Sequence, residues 1–585
     1  MLDQLTRALS AVAPRGDFSV IPLHSPRRGA DAQVFFKNLD PTRPERPADA
    51  GTLAAAREAL AALPEVAAVR ARADTLTIRF ADARVASLGE RLESGGRGAL
   101  DTRYVMAGAE VVVNFCDANP TKALHIGHLR NIALGQALAG ALAAAGARVT
   151  RQSQVSDYCR SMGEALAGYM EMPTHVTPRT FGVKSDHFVG ECFARYAGTP
   201  ADRPPQDSAA DPAPSAEAAE EPALSAEATV RHDLAEELLE HLKAGDHEIV
   251  ERWRRLRAWA LEGQDETLAA LGVKLDRMVY ESDSRPLTSW ILDTGLADGV
   301  LTRTEDGAVV YETHDEEHPR LLLARADGFP TQHLRTFALW HALRDSLNGT
   351  NSIELVGEEW HAYVSYHERL MQSIAPAQTP WHPNSNVIYG MVTVEGGAVK
   401  SSNGRPPLVD GLLERLSASE ELRELAGRSE GRLQPRSLAA LVALGFYLGR
   451  PTRKPVDLTL TEMLDLRGGV GWELARASVH AWSPRYDGPP DPAPEDMGYR
   501  QTVLQSQIHR QLLARAVEQL DVYELARFYG HLSRRYLAAN GDARASGVTR
   551  GAGGDARVAR AMRTLLAAGL GALGLPGAPE VSAPR

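Results

Sequence analysis

The segment from Val111 to Val155 constrains the fold more than any other part of this 585-residue chain. It reads as a compact apolar strand, VVVNF, then a Pro- and Asn-containing turn, then a helix of small residues from about His125 to Ala145. A second strand over Arg148–Val155 follows at once. Strand, turn, helix and strand in under about fifty residues is the βαβ unit of a parallel sheet, with a right-handed crossover. An α/β fold is therefore predicted.

Patterning divides the chain into three. Residues 1–104 mix a helical pattern over Leu53–Leu63 with one strand-like alternation, Val69–Phe80, in which Leu76, Ile78 and Phe80 share a face. This reads as a small α+β domain. Residues 105–411 hold the βαβ unit, and apolar strand-like runs return at Val309–Tyr311, Leu321–Ala324 and Ile353–Val356, as if one sheet were interrupted and resumed. Helical periodicity over Ala235–Leu271 follows an insertion at about 198–229, rich in Pro, Ala, Ser and acid, for which disorder is expected. Across 412–585 nearly every stretch is helical in pattern, including Val503–Leu520 and Tyr523–Leu537.

Composition narrows the function classes. With 44% hydrophobic and 24% charged residues the chain has ordinary globular usage. A net charge of −11 argues against indiscriminate attraction to polyanions, so no DNA partner is expected and any RNA contact falls to local basic patches. Arg432, Arg436, Arg450, Arg453 and Lys454 form one such cluster, equally readable as a solvated face. The longest apolar runs, Ala137–Ala147 and Leu565–Leu575, fall short of the ~18 residues of a membrane span, and Asp3 and Arg7 interrupt any secretory leader. A cytoplasmic location without membrane contact is expected. Cys116, Cys159 and Cys192 are too few and too scattered for a disulfide framework or a structural zinc site, so reduced thiols and no metal site are expected.

The turn after the first strand reads Asn119-Pro120-Thr121-Lys122-Ala123-Leu124-His125-Ile126-Gly127-His128. Two histidines three apart at a helix start lie on one face, Gly127 lets a ligand approach the backbone, and the helix N-terminus favours negative charge. Such a site suits the phosphates of a nucleotide. Four residues alone fit a metal-binding pair as well.

HIGH on a βαβ unit resembles the signature of the class I aminoacyl-tRNA synthetases. The segments DANPTKALHIGHLRN, VSDYCRSMG, LGVKLDRMVYESD, DGFPT and YGMV, in that order, resemble the arginyl-tRNA synthetase subgroup over almost the whole chain. The resemblance implies a class I Rossmann catalytic domain between an N-terminal additional domain and an α-helical anticodon-binding-like domain. It implies an ATP-dependent ligase, with Mg2+, that activates an amino acid, arginine or a relative, as an aminoacyl-adenylate and transfers it to tRNA. A cytoplasmic monomer is expected. Catalytic roles fall on His125, His128, Lys122 and Lys400, ATP contacts on Ile126, Gly127, Ser401 and Gly404, and amino-acid contacts on Asp117, Asn119, Asp157 and Glu281. The subgroup's Lys/Ser loop corresponds to Val399-Lys400-Ser401-Ser402-Asn403-Gly404, and Lys122 takes the place of its missing second basic residue.

The chain also departs from that subgroup. Gln332 and Thr336, the remaining amino-acid-site positions, stand where it has Tyr and Asp, and Ser161 stands where it has Gln. A buried guanidinium needs carboxylates, so an altered pocket is expected unless the register slips and Glu358 or Glu359 substitutes. The C-terminal signature helix is faint, at Glu473–Ser478. A second function therefore stays open: a tRNA-independent adenylate ligase that passes the acyl group to a small amine or carrier.

Overall fold

The computed structural model describes residues 1–13, 18–22, 30–36, 50–72, 75–95, 100–173, 175–197, 226–347, 350–374, 385–394, 397–398, 407–458, 462, 469–487, 497–540 and 556–577. Its N-terminal elements are α1 (Leu2–Ser10), β1 (Phe18–Pro22), β2 (Ala32–Phe36), α2 (Ala50–Ala61), β3 (Val66–Arg72), β4 (Thr75–Phe80) and α3 (Asp82–Glu93). The strands form an antiparallel sheet in the order β1-β2-β4-β3. The alternation expected as one strand over Val69–Phe80 is thus a hairpin, with Val69 opposite Ile78. Leu76, Ile78 and Phe80 do share the buried face.

The central region continues through β5 (Glu110–Asn114), α4 (Ile126–Ala144), β6 (Arg148–Val155), α5 (Arg160–Met170), α6 (Pro178–Phe181), α7 (Ser185–Ala197), α8 (Ala226–Ala244), α9 (His247–Ala270), β7 (Arg277–Tyr280) and α10 (Glu281–Ala297). It then adds β8 (Thr302–Arg303), β9 (Val309–Glu312), β10 (Arg320–Ala324), α11 (Gln332–Leu347), β11 (Asn351–Gly357), α12 (His361–Ile374), β12 (Ser385–Tyr389), β13 (Val392–Val394) and β14 (Gly397–Ala398). Five strands make a parallel sheet in the order β12-β11-β5-β6-β7. Val111, Val112 and Val113 of its middle strand are all buried, as a β-branched run covered on both faces should be. Successive strands are added on one side of β5 (β6, β7) and then on the other (β11, β12), and open parallel sheets bind ligands at the carboxyl ends of the strands at such a switch point.

The runs at 309–311 and 321–324 do not rejoin this sheet. They form a separate antiparallel sheet, β10-β9-β8, packed on α10, α11 and α12 around Leu321, Leu323, Phe337 and Leu370. Periodicity reports a strand and says nothing of which sheet takes it. Of the insertion, 198–225 lies outside the described residues, and 226–229 already belong to α8.

The C-terminal elements are α13 (Val409–Ala418), α14 (Glu420–Gly427), α15 (Pro435–Leu448), β15 (Val456–Leu458), α16 (Val470–Ala481), α17 (Met497–Gln519), α18 (Tyr523–Ala539) and α19 (Ala556–Ala572). The helical expectation misses β15, which pairs in parallel with β13 and so ties this region back to the central one. One continuous core runs from Leu5 through Leu129 and Leu441 to Leu570. α4 is buried on nearly every face because it lies inside that core, and its buried residues include the polar Arg130, Asn131 and Gln136. At Gly140 an added Cβ would lie 2.7 Å from the Gly574 nitrogen, so only glycine lets α4 and the end of α19 meet backbone to backbone.

Candidate active site

The HIGH residues sit at the head of α4. His125 is its N-cap: the Gly127 N–H donates to His125 Nδ1 at 3.2 Å, and the His125 N–H donates to His128 Nδ1 at 3.2 Å. The rings stack with centroids 3.7 Å apart. Because both Nδ1 atoms accept, each neutral ring carries its proton on Nε2, as a donor. Burial, with the Lys122 charge second, pushes His125 down to about 3, and burial, with the neighbouring His125 and Lys122, holds His128 well below the ordinary histidine range. The pair therefore supplies N–H donors without carrying charge, beside the positive end of a helix.

The loop leading to it is strained. Cys116 and Asp117 hold φ values of 82° and 43°, a region unfavourable for residues with a Cβ. Side chains over-determine this turn. The Cys116 N–H donates to Asn131 Oδ1 at 2.6 Å, the Asp117 N–H to Ser153 Oγ at 3.1 Å, and the Gln154 N–H to Asp117 Oδ1 at 2.7 Å. Asn114 Nδ2 donates to Asp117 Oδ2 at 2.8 Å. Asp117 is exposed, whereas Glu354, on β11, is buried and receives Gln154 Nε2 at 3.2 Å. Burial, with Asp117 second, pushes the Glu354 carboxyl up to about 8. Asn119 and Lys122 are half-buried, and both their carbonyls accept from Gln264 Nε2, at 3.0 and 2.9 Å.

On the β6–β7 side each expected carboxylate already has a cation from the chain. Asp157 accepts Arg257 Nη1 at 2.6 Å, Ser282 Oγ at 2.7 Å and the Ser282 N–H at 2.9 Å. Glu281, the first residue of α10, accepts Ser156 Oγ at 2.9 Å and Arg335 Nε at 3.1 Å, while Arg335 Nη1 donates to the Pro330 carbonyl at 2.7 Å. Burial pushes the Glu281 carboxyl up against the opposing pull of Arg335. Gln332 and Thr336 lie half-buried one turn apart on α11, which delivers Arg335 to Glu281. Glu358 and Glu359 follow β11, three strands from β7 in the sheet. Ser161 Oγ rests 3.1 Å from Cys159 Sγ.

Lys400, Ser401 and Gly404 lie outside the described residues. Beyond them the chain returns to the site: the Ile126 N–H donates to the Pro407 carbonyl at 3.0 Å and the Val409 N–H to the Leu124 carbonyl at 2.9 Å. Of the basic cluster, Arg432 pairs with Asp487, and Arg450 with Glu462 at 2.5 Å. Asp186, His187 and Asp410 converge as three potential metal ligands, but Lys184 Nζ lies 2.9 Å from Asp410 and 3.3 Å from Asp186 and supplies the positive charge there. All three cysteines are buried and unpaired. Among the described residues no helix is long and apolar enough to cross a membrane.

Residues of this site that escaped the sequence reading include Arg257, Arg335, Gln264 and Glu354. Only Glu354 left a signal, an acid inside the apolar run SIELVG.

The family described as tRNA synthetases class I (R), catalytic domain, matches residues 99–182, which hold β5, the histidine turn, α4 and β6. Within that class the chain resembles the arginyl-tRNA synthetases. It is 28% identical over 382 residues to an arginine–tRNA ligase of Amoebophilus asiaticus, covering 62% of this chain and 60% of that one. It is likewise 28% identical over 374 residues to that of Bacteroides thetaiotaomicron, covering 62% and 60%. The match thus spans about 60% of the length of these curated relatives. In fold it is similar to Thermus thermophilus arginyl-tRNA synthetase, with a TM-score of 0.67 and 20% identity over 98% of both chains. The Plasmodium falciparum arginyl-tRNA synthetase gives a TM-score of 0.62 and 14% identity, over 98% of this chain and 97% of that one.

Proposed function

We propose that this chain activates arginine with ATP and transfers the arginyl group to tRNA. The stacked, neutral His125–His128 pair at the head of α4, at the sheet's switch point, carries this reading. In the first step the amino-acid carboxylate attacks the α-phosphorus of Mg2+-bound ATP, the bond to the β-phosphate bridge breaks, and pyrophosphate leaves. His125 and His128 would donate Nε2–H bonds to phosphate oxygens as charge shifts onto pyrophosphate, with the first-turn amides around Ile126 and Gly127 aiding them. Lys122 precedes this turn, and Lys400, with Ser401 and Gly404, would add a second cation and further donors to the nucleotide. In the second step a ribose hydroxyl of tRNA attacks the adenylate carbonyl and AMP leaves. Asp117 and Asn119 would hold the amino acid at the strand ends, with Asp157 and Glu281 shaping its side-chain pocket alongside Gln332 and Thr336. We assign nucleotide chemistry to residues 105–411, and RNA contact to 1–104 and 412–585.

The pairing of Glu281 with Arg335 favours a second reading of the substrate alone, an arginine relative held by fewer charges. Amino-acid-dependent ATP–pyrophosphate exchange, run over the standard amino acids with and without total tRNA, separates the cases. Arginine-dependent exchange, lost by roughly 10²–10³-fold in His128→Ala, is the expected result. Exchange with another amino acid alone would move the substrate, and exchange untouched by His128→Ala would remove the site.

A further inference from the structure

We propose that residues 451–458 are a strap that positions the catalytic helix, with Arg130 as the positioning residue and Thr452–Asp521 as its link to the C-terminal helices. Arg130 lies two residues beyond His128 and is 1% exposed. Among the described residues no carboxylate pairs with it. Its Nη2, with two hydrogens, instead lies within hydrogen-bond distance of three carbonyls of one short segment, Pro451 at 3.0 Å, Thr452 at 2.8 Å and Lys454 at 2.7 Å, while among the described residues its buried Nη1 has no partner. These follow the C-terminus of α15, where helix carbonyls favour a cation. A second tie lies one turn earlier on α4: Tyr447 of α15 donates its hydroxyl to the Ile126 carbonyl at 3.0 Å.

The same segment reaches two other places. Its Thr452 carbonyl also accepts the Gly390 N–H at 3.0 Å, the Val456 N–H donates to the Met391 carbonyl at 2.8 Å, and β15 then pairs with β13. An added Cβ on Gly390 would lie 2.4 Å from the Lys454 carbonyl carbon, so the backbones are in close register. The strap therefore holds the strand that runs toward Lys400 and the helix that carries His128 on one set of carbonyls. In the other direction Thr452 Oγ1 donates to Asp521 Oδ1 at 2.8 Å, and that oxygen also accepts the Tyr523 N–H at 3.0 Å, at the start of α18. A displacement of α18 by a bound ligand thus reaches α4 through three consecutive polar contacts, Tyr523 to Asp521, Asp521 to Thr452 and Thr452 to Arg130.

Two features separate positioning from mere cohesion. A packed apolar side chain at 130 would satisfy the core without burying a guanidinium, and an arginine that converges on carbonyls from a segment over 300 residues away fixes a relative orientation. Arg130 touches no reacting atom, so its effect should fall on turnover more than on nucleotide affinity. The tRNA-dependent part of the test rests on the function proposed above.

The experiment compares wild type with Thr452→Val, Asp521→Ser and the double variant, which keep the strap carbonyls, and with Arg130→Met, which keeps a long stem but removes the donor. The first readout is hydrogen–deuterium exchange of amides 126–132, which needs no substrate. We expect protection there to fall in every variant while the protection of β5 is kept. The second is ATP–pyrophosphate exchange with tRNA: kcat should fall about tenfold with KM for ATP unchanged, and the double variant should be no worse than either single one. Unaltered protection at 126–132, or independent and multiplicative losses in the double variant, would overturn the strap. Silence of the wild type in pyrophosphate exchange would instead defeat the proposed function, and the strap would still be judged on amide protection.

Discussion

The two halves of the candidate site are built on opposite plans. On the nucleotide side the donors are held in reserve: the acceptor nitrogens of His125 and His128 are used inside the turn, which leaves each Nε2–H outside those bonds. On the amino-acid side the charges are already met, Asp157 by Arg257 and Glu281 by Arg335. A phosphate chain brings negative charge to a site that lacks it, whereas a guanidinium must compete for Glu281 with a guanidinium of the chain. The difference teaches that retention of an acid in the sequence is not the same as its availability to a ligand.

Removing the internal pairing is the most drastic way to test this contrast. Glu281→Gln keeps the shape and strands Arg335 in the interior, and should cost about 3–5 kcal/mol of stability, read by denaturant unfolding. A loss under about 1 kcal/mol would mean that Arg335 is easily re-solvated and the pocket is not charge-filled. A gentler change sharpens the comparison. Thr336→Asp adds a carboxylate on the face that carries Gln332, and should lower KM for arginine roughly tenfold or more, since a charged hydrogen bond contributes ~1.5–3 kcal/mol. Unchanged KM would place arginine's side chain elsewhere.

The smallest effect concerns Glu354, between the two halves. Its carboxyl, pushed up to about 8, is protonated when folded and ionised when unfolded from about pH 4.5 upward. The folded state therefore binds more protons across that window, and stability falls as pH rises toward 8. Glu354→Gln should flatten this slope and raise stability at pH 8 by about 1 kcal/mol or more, measured by unfolding at several pH values. An unchanged slope would show that Glu354 ionises freely.

What was legible in the sequence follows the range of the interactions concerned. β6 has the bounds expected for it, and α4 differs from the expectation by one residue at each end, because a β-branched run and a small-residue helix are local patterns. The β3–β4 hairpin was hidden because the alternation runs through it with neither Gly nor Pro to break it. β15 is three residues long and owes its strand conformation to β13, more than sixty residues earlier. The HIGH pair was readable because both histidines and their cap lie within one turn. Arg335 meets Glu281 across 54 residues, and Arg130 meets the strap across more than 320. No spacing rule reaches so far.

The measurement that bears most directly on this account is the transfer of radiolabelled arginine to total tRNA by the full chain in the presence of ATP and Mg2+. The account predicts that arginine becomes esterified to tRNA in an ATP-dependent reaction that His128→Ala suppresses. Formation of an adenylate with no arginine ever appearing on tRNA would contradict it.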